Sequence, residues 1–181
     1  MTGETDLDLP DEMFLVRVDH EETGDTRETL SFSRSPTVLL TFAANRFTRM
    51  ASKIYQERYD LGAMDWRMLV MLTREPGATA ARASETIGID KGAISRCLHR
   101  LEGKELVRAG ALHANGRSRG WYLTAAGQTL HDTILREALE RQRRLFQGFS
   151  KAEVEALCDM LQRFLENQKS LVAEPGGSRP D

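Results

Sequence analysis

The residues best suited to chemistry lie in "DKGAISRCLHRLEGKELV", Asp90 to Val107. Ile94, Leu98 and Leu101 are spaced four and three apart, with Cys97 beside them, so they form the inward stripe of a helix. The other face then presents Lys91, Gly92, Ser95, Arg96, His99 and, near its end, Arg100. Small residues let a helix approach a surface closely. Hydroxyl and guanidinium groups match base edges and phosphate oxygens. The chemistry predicted is therefore recognition of a nucleic acid. A plain solvated amphipathic helix is the ordinary alternative, and the surrounding elements decide against it.

Those elements read as follows. Thr79 can cap a short helix whose inward residues are Ala83 and Ile87, and Gly88 suits a left-handed stop. Asp90 then caps the quoted segment. Two helices separated by a few residues around a glycine are the signature of a helix-turn-helix. After it, Val107 and Trp121-Tyr122-Leu123 are strand formers, and Asn115-Gly116 is a tight-turn pair. This is a β-hairpin with Arg117 and Arg119 toward its tip and Arg108 at its base. A ribbon of that kind can probe a minor groove, where a narrow groove concentrates negative potential.

Upstream, "SPTVLLTFAANRFTRMASKIYQERY" is a helix with Ser35 as N-cap and Pro36 in the first position. Its expected buried stripe is Leu40, Ala43, Phe47, Met50 and Ile54. Gly62 breaks it, and "AMDWRMLVMLTRE" is an apolar second helix ended by Pro76-Gly77. Downstream, Thr124 opens a long helix. A capping box, Ser150 with Glu153, opens another, in which Val154, Leu157, Leu161, Phe164 and Leu171 fall near heptad spacing.

Net charge is −2 over 181 residues, but it is unevenly spread. Residues 1–35 hold ten acids and three cations, whereas residues 74–120 hold nine cations and five acids. Local charge decides what a face can bind. Residues 1–35 read as a mostly irregular acidic arm, partly disordered, in which only "MFLVRV" is apolar enough to dock. Residues 171–181 read as a disordered tail. No apolar run approaches the ~20 residues of a membrane span. The acidic N-terminus does not look like a secretory signal, so a cytoplasmic location is expected. Cys97 and Cys158 are far apart, and the four histidines form no ligand cluster, so neither a metal nor another cofactor is expected. No nucleophile elbow, phosphate-cradling loop or acid–base pair is present, which argues against an enzyme.

From about residue 36 to 170 the chain resembles the MarR family of winged helix-turn-helix regulators. The resemblance rests on "NRFTRMASKIYQERYDLGAMDWRMLVML", "GIDKGAISRCLHRLEGKELV" and "NGRSRGWYLTAAG", in that order. It implies a mainly α fold with a small β-hairpin wing, with a DNA-binding lobe at about 62–123 and dimerisation helices at about 36–58 and 124–170. It also implies a fourth helix that reads the major groove through Lys91, Ser95, Arg96 and His99. The arginine of the family's wing matches Arg117; the acid usually found two residues earlier is Asn115 here.

Two copies on a twofold axis would meet successive major-groove faces about 34–36 Å apart. Leu145, Phe146, Phe149, Val154, Leu157, Leu161 and Phe164 are the candidate dimer core, and the family resemblance likewise implies a homodimer. The resemblance further implies a small-molecule effector, an organic anion such as an aromatic acid or its thioester. Arg46 and Arg49 beside Trp66 are its candidate holders, since an arginine fork grips a carboxylate. The usual mode would be repression at a palindromic operator, relieved by the effector. Two other readings stay open: a thiol-redox regulator of the same fold, and a winged helix that binds protein. For the first, Cys97 is expected half buried and Cys158 at a helix interface, both inert.

Overall fold

The computed structural model describes residues 9–112 and 118–173. Two compact units make up the chain, one reaching to Gln128 and the other starting at Thr129.

The first unit opens with a short 3-10 turn, Asp11–Met13, and an antiparallel hairpin of β1 (Leu15–Asp19) and β2 (Thr26–Leu30). This differs from the irregular arm expected there. Gly24, at φ +71°, turns the chain, and the His20 carbonyl accepts the Gly24 N–H at 2.8 Å. Arg17 and Glu28 face each other across the ladder at 2.9 Å. Nearly every residue of both strands is exposed. Val16-Arg17-Val18-Asp19 in β1 alternates apolar and polar residues, but β2, Thr26–Leu30, carries no such pattern.

Helix α1 spans Pro36–Tyr59 with Pro36 in the first turn, as expected. Ser35 occupies the cap position, but its hydroxyl meets the Thr37 hydroxyl at 3.1 Å and caps no backbone N–H. The buried residues are Ala51 and Tyr55, not the expected stripe. Ala43 and Phe47 are exposed, and Leu40, Met50 and Ile54 are half-buried. Leu39 and Phe42 are exposed as well, so the first half of α1 carries uncovered apolar surface. Asp60 ends α1 in the left-handed conformation. Lys104 and Gln56 hold its carboxyl below the usual range by hydrogen bonding.

Helix α2 (Ala63–Arg74) supplies the core of the unit through Met68, Leu69, Met71 and Leu72. Helix α3 (Ala80–Ile87) is fixed to its end by a two-point ion pair, Arg82 Nε and Nη2 donating to Glu75 at 2.8 and 3.1 Å. Helix α4 (Lys91–Gly103) and the hairpin β3 (Val107–Leu112) and β4 (Arg119–Leu123) complete the lobe. Residues 113–117, with the Asn115-Gly116 turn and Arg117, lie outside the described residues.

Helix α5 (Ala125–Leu145) begins where Thr124 Oγ1 accepts the Gly127 N–H at 3.0 Å, which makes Thr124 its cap. In the second unit, Phe146 and Phe149 meet edge to face with centroids 5.5 Å apart. Helix α6 (Lys151–Ala173) opens on the expected capping box. The Ser150 N–H donates to Glu153 at 2.7 Å, and the Glu153 N–H donates to the Ser150 hydroxyl at 3.3 Å. The Ser150 N–H, and then the Ser150 hydroxyl at 2.7 Å, donate to the Glu153 carboxyl and hold it below the usual range. Val154, Leu157, Leu161 and Phe164 are half-buried, while Leu145, Phe149 and Leu171 are exposed. Leu171 is still helical, so the helix extends past the expected start of the tail; residues 174–181 are not described. His131, which sequence alone places on a polar helix face, is buried with a ring nitrogen 2.8 Å from Asp132 Oδ1. No helix among the described residues is long and apolar enough to cross a membrane.

Candidate nucleic-acid interface

The site is assembled from three pieces of backbone chemistry. Thr79 Oγ1 accepts the Arg82 N–H at 3.2 Å and starts α3. Gly88, at φ +73°, stops it, with its N–H on the Ser84 carbonyl at 2.9 Å. Asp90 Oδ1 accepts the Ala93 N–H at 2.8 Å and starts α4. Only Gly88, Ile89 and Asp90 separate the two helices, so the turn is short. Ile94, Cys97, Leu98 and Leu101 are at most 1% exposed, as their spacing requires. Burial of this stripe turns Lys91, Gly92, Arg96 and His99 outward, with Ser95 half-buried.

The hairpin is held to the lobe by the segment between α2 and α3. The Gly77 N–H donates to the Trp121 carbonyl at 2.8 Å, and the Trp121 N–H donates to the Ala78 carbonyl at 3.1 Å. A Cβ on Gly120 would sit 2.6 Å from the Gly77 oxygen, so only glycine permits this close pairing. Between Ala109 and Leu112 the register slips by one residue, a bulge that re-aims the strand toward its tip.

These constraints bring four of the expected residues together. Lys91, Ser95 and His99 from α4 and Arg119 from β4 line one open cleft of about 300 Å³, with Trp121 and Ser118 in its wall. His99 stands edge-on to Trp121 with centroids 5.5 Å apart, and its Nδ1 lies 3.3 Å from Glu102. Trp121 thus braces His99, a role not foreseen from its type alone. Gly92 leaves room beside Arg96; a Cβ there would approach Arg96 Nη1 at 3.3 Å. Arg108 lies over the Tyr122 ring, 4.8 Å from its centroid, at the hairpin base and on the strand opposite.

Arg100 departs from the expectation. It does not join the reading face, because its guanidinium is engaged by Asp65 of α2. Nε donates to Oδ1 at 3.1 Å and to Oδ2 at 3.4 Å, and Nη2 also donates to Oδ1. Asp65 is 2% exposed and accepts further bonds from the Gly62 N–H at 2.8 Å and the Cys97 thiol at 3.2 Å. Hydrogen bonding to Asp65 raises the already high pKa of Arg100. The signal for Asp65 was present in the sequence: a lone acid inside "AMDWRMLVML", three residues after a helix-breaking glycine.

The expected effector residues are not gathered into one place. Arg46 and Arg49 are exposed on α1. Trp66 packs on Tyr55, centroids 5.9 Å apart. Tyr55 lies nine residues beyond Arg46, about 13 Å along the helix axis. Instead, Arg67 Nη2 reaches Thr48 at 3.3 Å and lies nearer the level of the α1 arginines.

Cys97 is fully buried, not half-buried, and Cys158 is exposed rather than covered. Burial first, then the bond to Asp65, pushes the Cys97 thiol up to about 12. Because the raised value favours the neutral thiol, the reactive thiolate stays negligible until the pH nears that value. In a Cys158→Ser variant, the remaining thiol is therefore expected to resist alkylation at pH 8 until the protein unfolds. Prompt labelling of the folded variant would contradict the burial and revive a redox role for Cys97.

Residues 59–118, which run from the last residue of α1 through α2 and the helix-turn-helix to β3 but stop short of β4, match the model of the MarR family. Over that stretch the chain is similar to the MarR family of winged-helix regulators. Among solved structures, a MarR/EmrR family transcriptional regulator from Acinetobacter sp. ADP1 is 25% identical, with a TM-score of 0.72 over 78% of this chain and 99% of that one. A putative MarR family regulator from Listeria monocytogenes, complexed with a 26mer DNA, is 23% identical, with a TM-score of 0.69 over 78% and 95%. The PcaV regulator from Streptomyces coelicolor, in complex with its natural ligand, is 18% identical, with a TM-score of 0.64 over 76% and 96%. No curated protein matches the sequence. The fold, mainly helical with a two-stranded wing, is that of the solved winged-helix MarR structures.

Proposed function

We propose that this protein is a homodimeric, cytoplasmic MarR-type repressor that binds a palindromic operator and leaves it when a small organic anion binds. The observation that carries the DNA half is the cleft in which Lys91, Ser95 and His99 of α4 meet Arg119 of the wing. One wall supplies base-reading groups and the other supplies a cation for the backbone. Arg96, exposed beside Gly92, is the principal base reader, since an arginine fork fits guanine in the major groove. Support for the dimer is the apolar surface left exposed on α1 (Leu39, Phe42, Phe47) and, in the second unit, at Leu145, Phe149 and Leu165. Obligate interfaces bury surface of this kind.

The effector reading rests on the exposed α1 cations, Arg46 and Arg49, and on the ligand complex of PcaV. Trp66, committed to Tyr55, is the weakest member of the expected set. An effector must bind the two DNA-competence states unequally to shift anything. Titration of aromatic acids and their coenzyme A thioesters against the DNA complex tests it.

The decisive experiment selects an operator from random duplexes and measures binding across salt. Affinity is expected to fall steeply as salt rises, because counterions return to phosphate. Two copies are expected per palindromic duplex by sedimentation. Arg96→Ala is expected to lose about 1–3 kcal/mol of discrimination, while Lys91→Ala weakens all sequences alike and lowers the salt slope by about 1. If Arg96→Ala discriminates as wild type does, the assignment of α4 as reader fails. Weak, sequence-blind binding by a single subunit would point instead to a protein-binding winged helix.

A further inference from the structure

We propose that Asp65 is a positioning residue that sets the rotation of α4, and so the discrimination between operator and random DNA, by holding Arg100 and Cys97. This rests on α4 being the reading helix. Apolar burial draws α4 onto α2, but it is non-directional and leaves rotation about the helix axis loosely set. A guanidinium fork on a carboxylate is directional. Asp65 meets α4 at two points, the Cys97 thiol and the Arg100 guanidinium, three residues apart on its inner flank. Arg96 and His99 immediately precede those two anchors in sequence. Any rotation that misplaces the readers therefore breaks both anchor bonds.

Asp65 is itself fixed. Oδ2 accepts the Gly62 N–H, which ties the carboxylate to the first turn of α2. Gly62, Cys97 and Arg100 all donate to it, and both of its oxygens are engaged while the residue is 2% exposed. A buried ionic contact is weak evidence for stability, and in some proteins it serves conformational specificity instead.

The test uses the full-length protein and an operator that wild type selects from random duplexes. Asp65→Asn keeps an acceptor for Gly62 but loses the charge that grips Arg100. Arg100→Lys keeps a cation but loses the fork. Both are assayed where circular dichroism shows the protein folded. Each is expected to lower the ratio of operator affinity to random-duplex affinity about tenfold, with the salt slope unchanged because phosphate contacts persist. The double variant Asp65→Asn, Arg100→Gln, which leaves no charge unpaired, is expected to recover thermal stability without recovering the ratio.

A ratio equal to wild type in the folded single variants overturns the proposal. So does an equal fall for both duplexes, which marks a purely structural part. Should Asp65→Asn fail to fold, Arg100→Lys decides alone. Arg96→Ala runs alongside: if it too leaves the ratio intact, the reading of α4 fails and this proposal with it. If only Arg96→Ala lowers the ratio, the reading stands and the role of Asp65 falls.

Discussion

Arg100→Ala is expected to cost about 3 kcal/mol of folding free energy, although Arg100 looks like a surface residue. The Asp65 side chain is 3% exposed, and Arg100 is its ion-pair partner. Removing one member of a buried pair leaves a desolvated charge, which typically costs about 3–5 kcal/mol. The Arg100 side chain is 48% exposed, so solvent already screens part of the attraction, and the lower end of that range is the appropriate one. By contrast, Arg17 pairs with Glu28 where both are well exposed, and removing it is expected to change little. Urea denaturation measures both. The midpoint of Arg100→Ala should fall with its slope unchanged. A shift no larger than that of Arg17→Ala would mean that Asp65 does not depend on Arg100.

The second large effect is Gly127→Ala. On propensity alone, alanine inside an exposed helix would add about 1 kcal/mol of stability over glycine. Here the sign is expected to reverse. A Cβ on Gly127 would lie 2.0 Å from the Leu106 carbonyl oxygen and 3.0 Å from its carbon. Both are backbone atoms, so no flexible side chain can move aside. The same oxygen accepts the Thr124 N–H at 3.1 Å, which pins the start of α5 at this point. Alanine forces the helix start away and breaks that bond. Overpacking of a tight contact costs about 1–3 kcal/mol, and a backbone clash belongs at the upper end. Thermal unfolding of the variant is expected at a clearly lower temperature. An unchanged or higher midpoint would show that α5 can shift without loss.

These two residues show where local reading of the chain stops. Gly127 sits in "TAAGQ", where nothing separates it from any other glycine in a helix. Arg96 and Arg100 are identical side chains one turn apart on one helix. One is exposed beside Gly92 and the other is bound to a carboxylate 35 positions earlier in the chain. Nothing between the two positions signals the difference.

What the sequence determined by itself is what depends on near neighbours. Thr79, Gly88, Asp90 and the Ser150–Glu153 box end and start helices because a cap needs only its own turn. The stripe of Ile94, Leu98 and Leu101 is buried because a helix repeats every 3.6 residues whatever surrounds it. The order of helix, turn, helix and hairpin follows from those signals. Tertiary structure decided the rest. It chose which length of α1's apolar stripe is buried, Ala51 and Tyr55 near its end rather than Ala43 and Phe47 in the turns before them. It sent Trp66 to Tyr55, away from Arg46. It formed the hairpin at residues 15–30 through cross-strand pairing, with no buried face to announce it. It also bound Arg100, which the helix pattern groups with the expected DNA-facing cations, to the Asp65 carboxylate. Periodicity and capping act within a turn or two, whereas a charge's partner and a glycine's clearance are set by chain segments that meet only after folding.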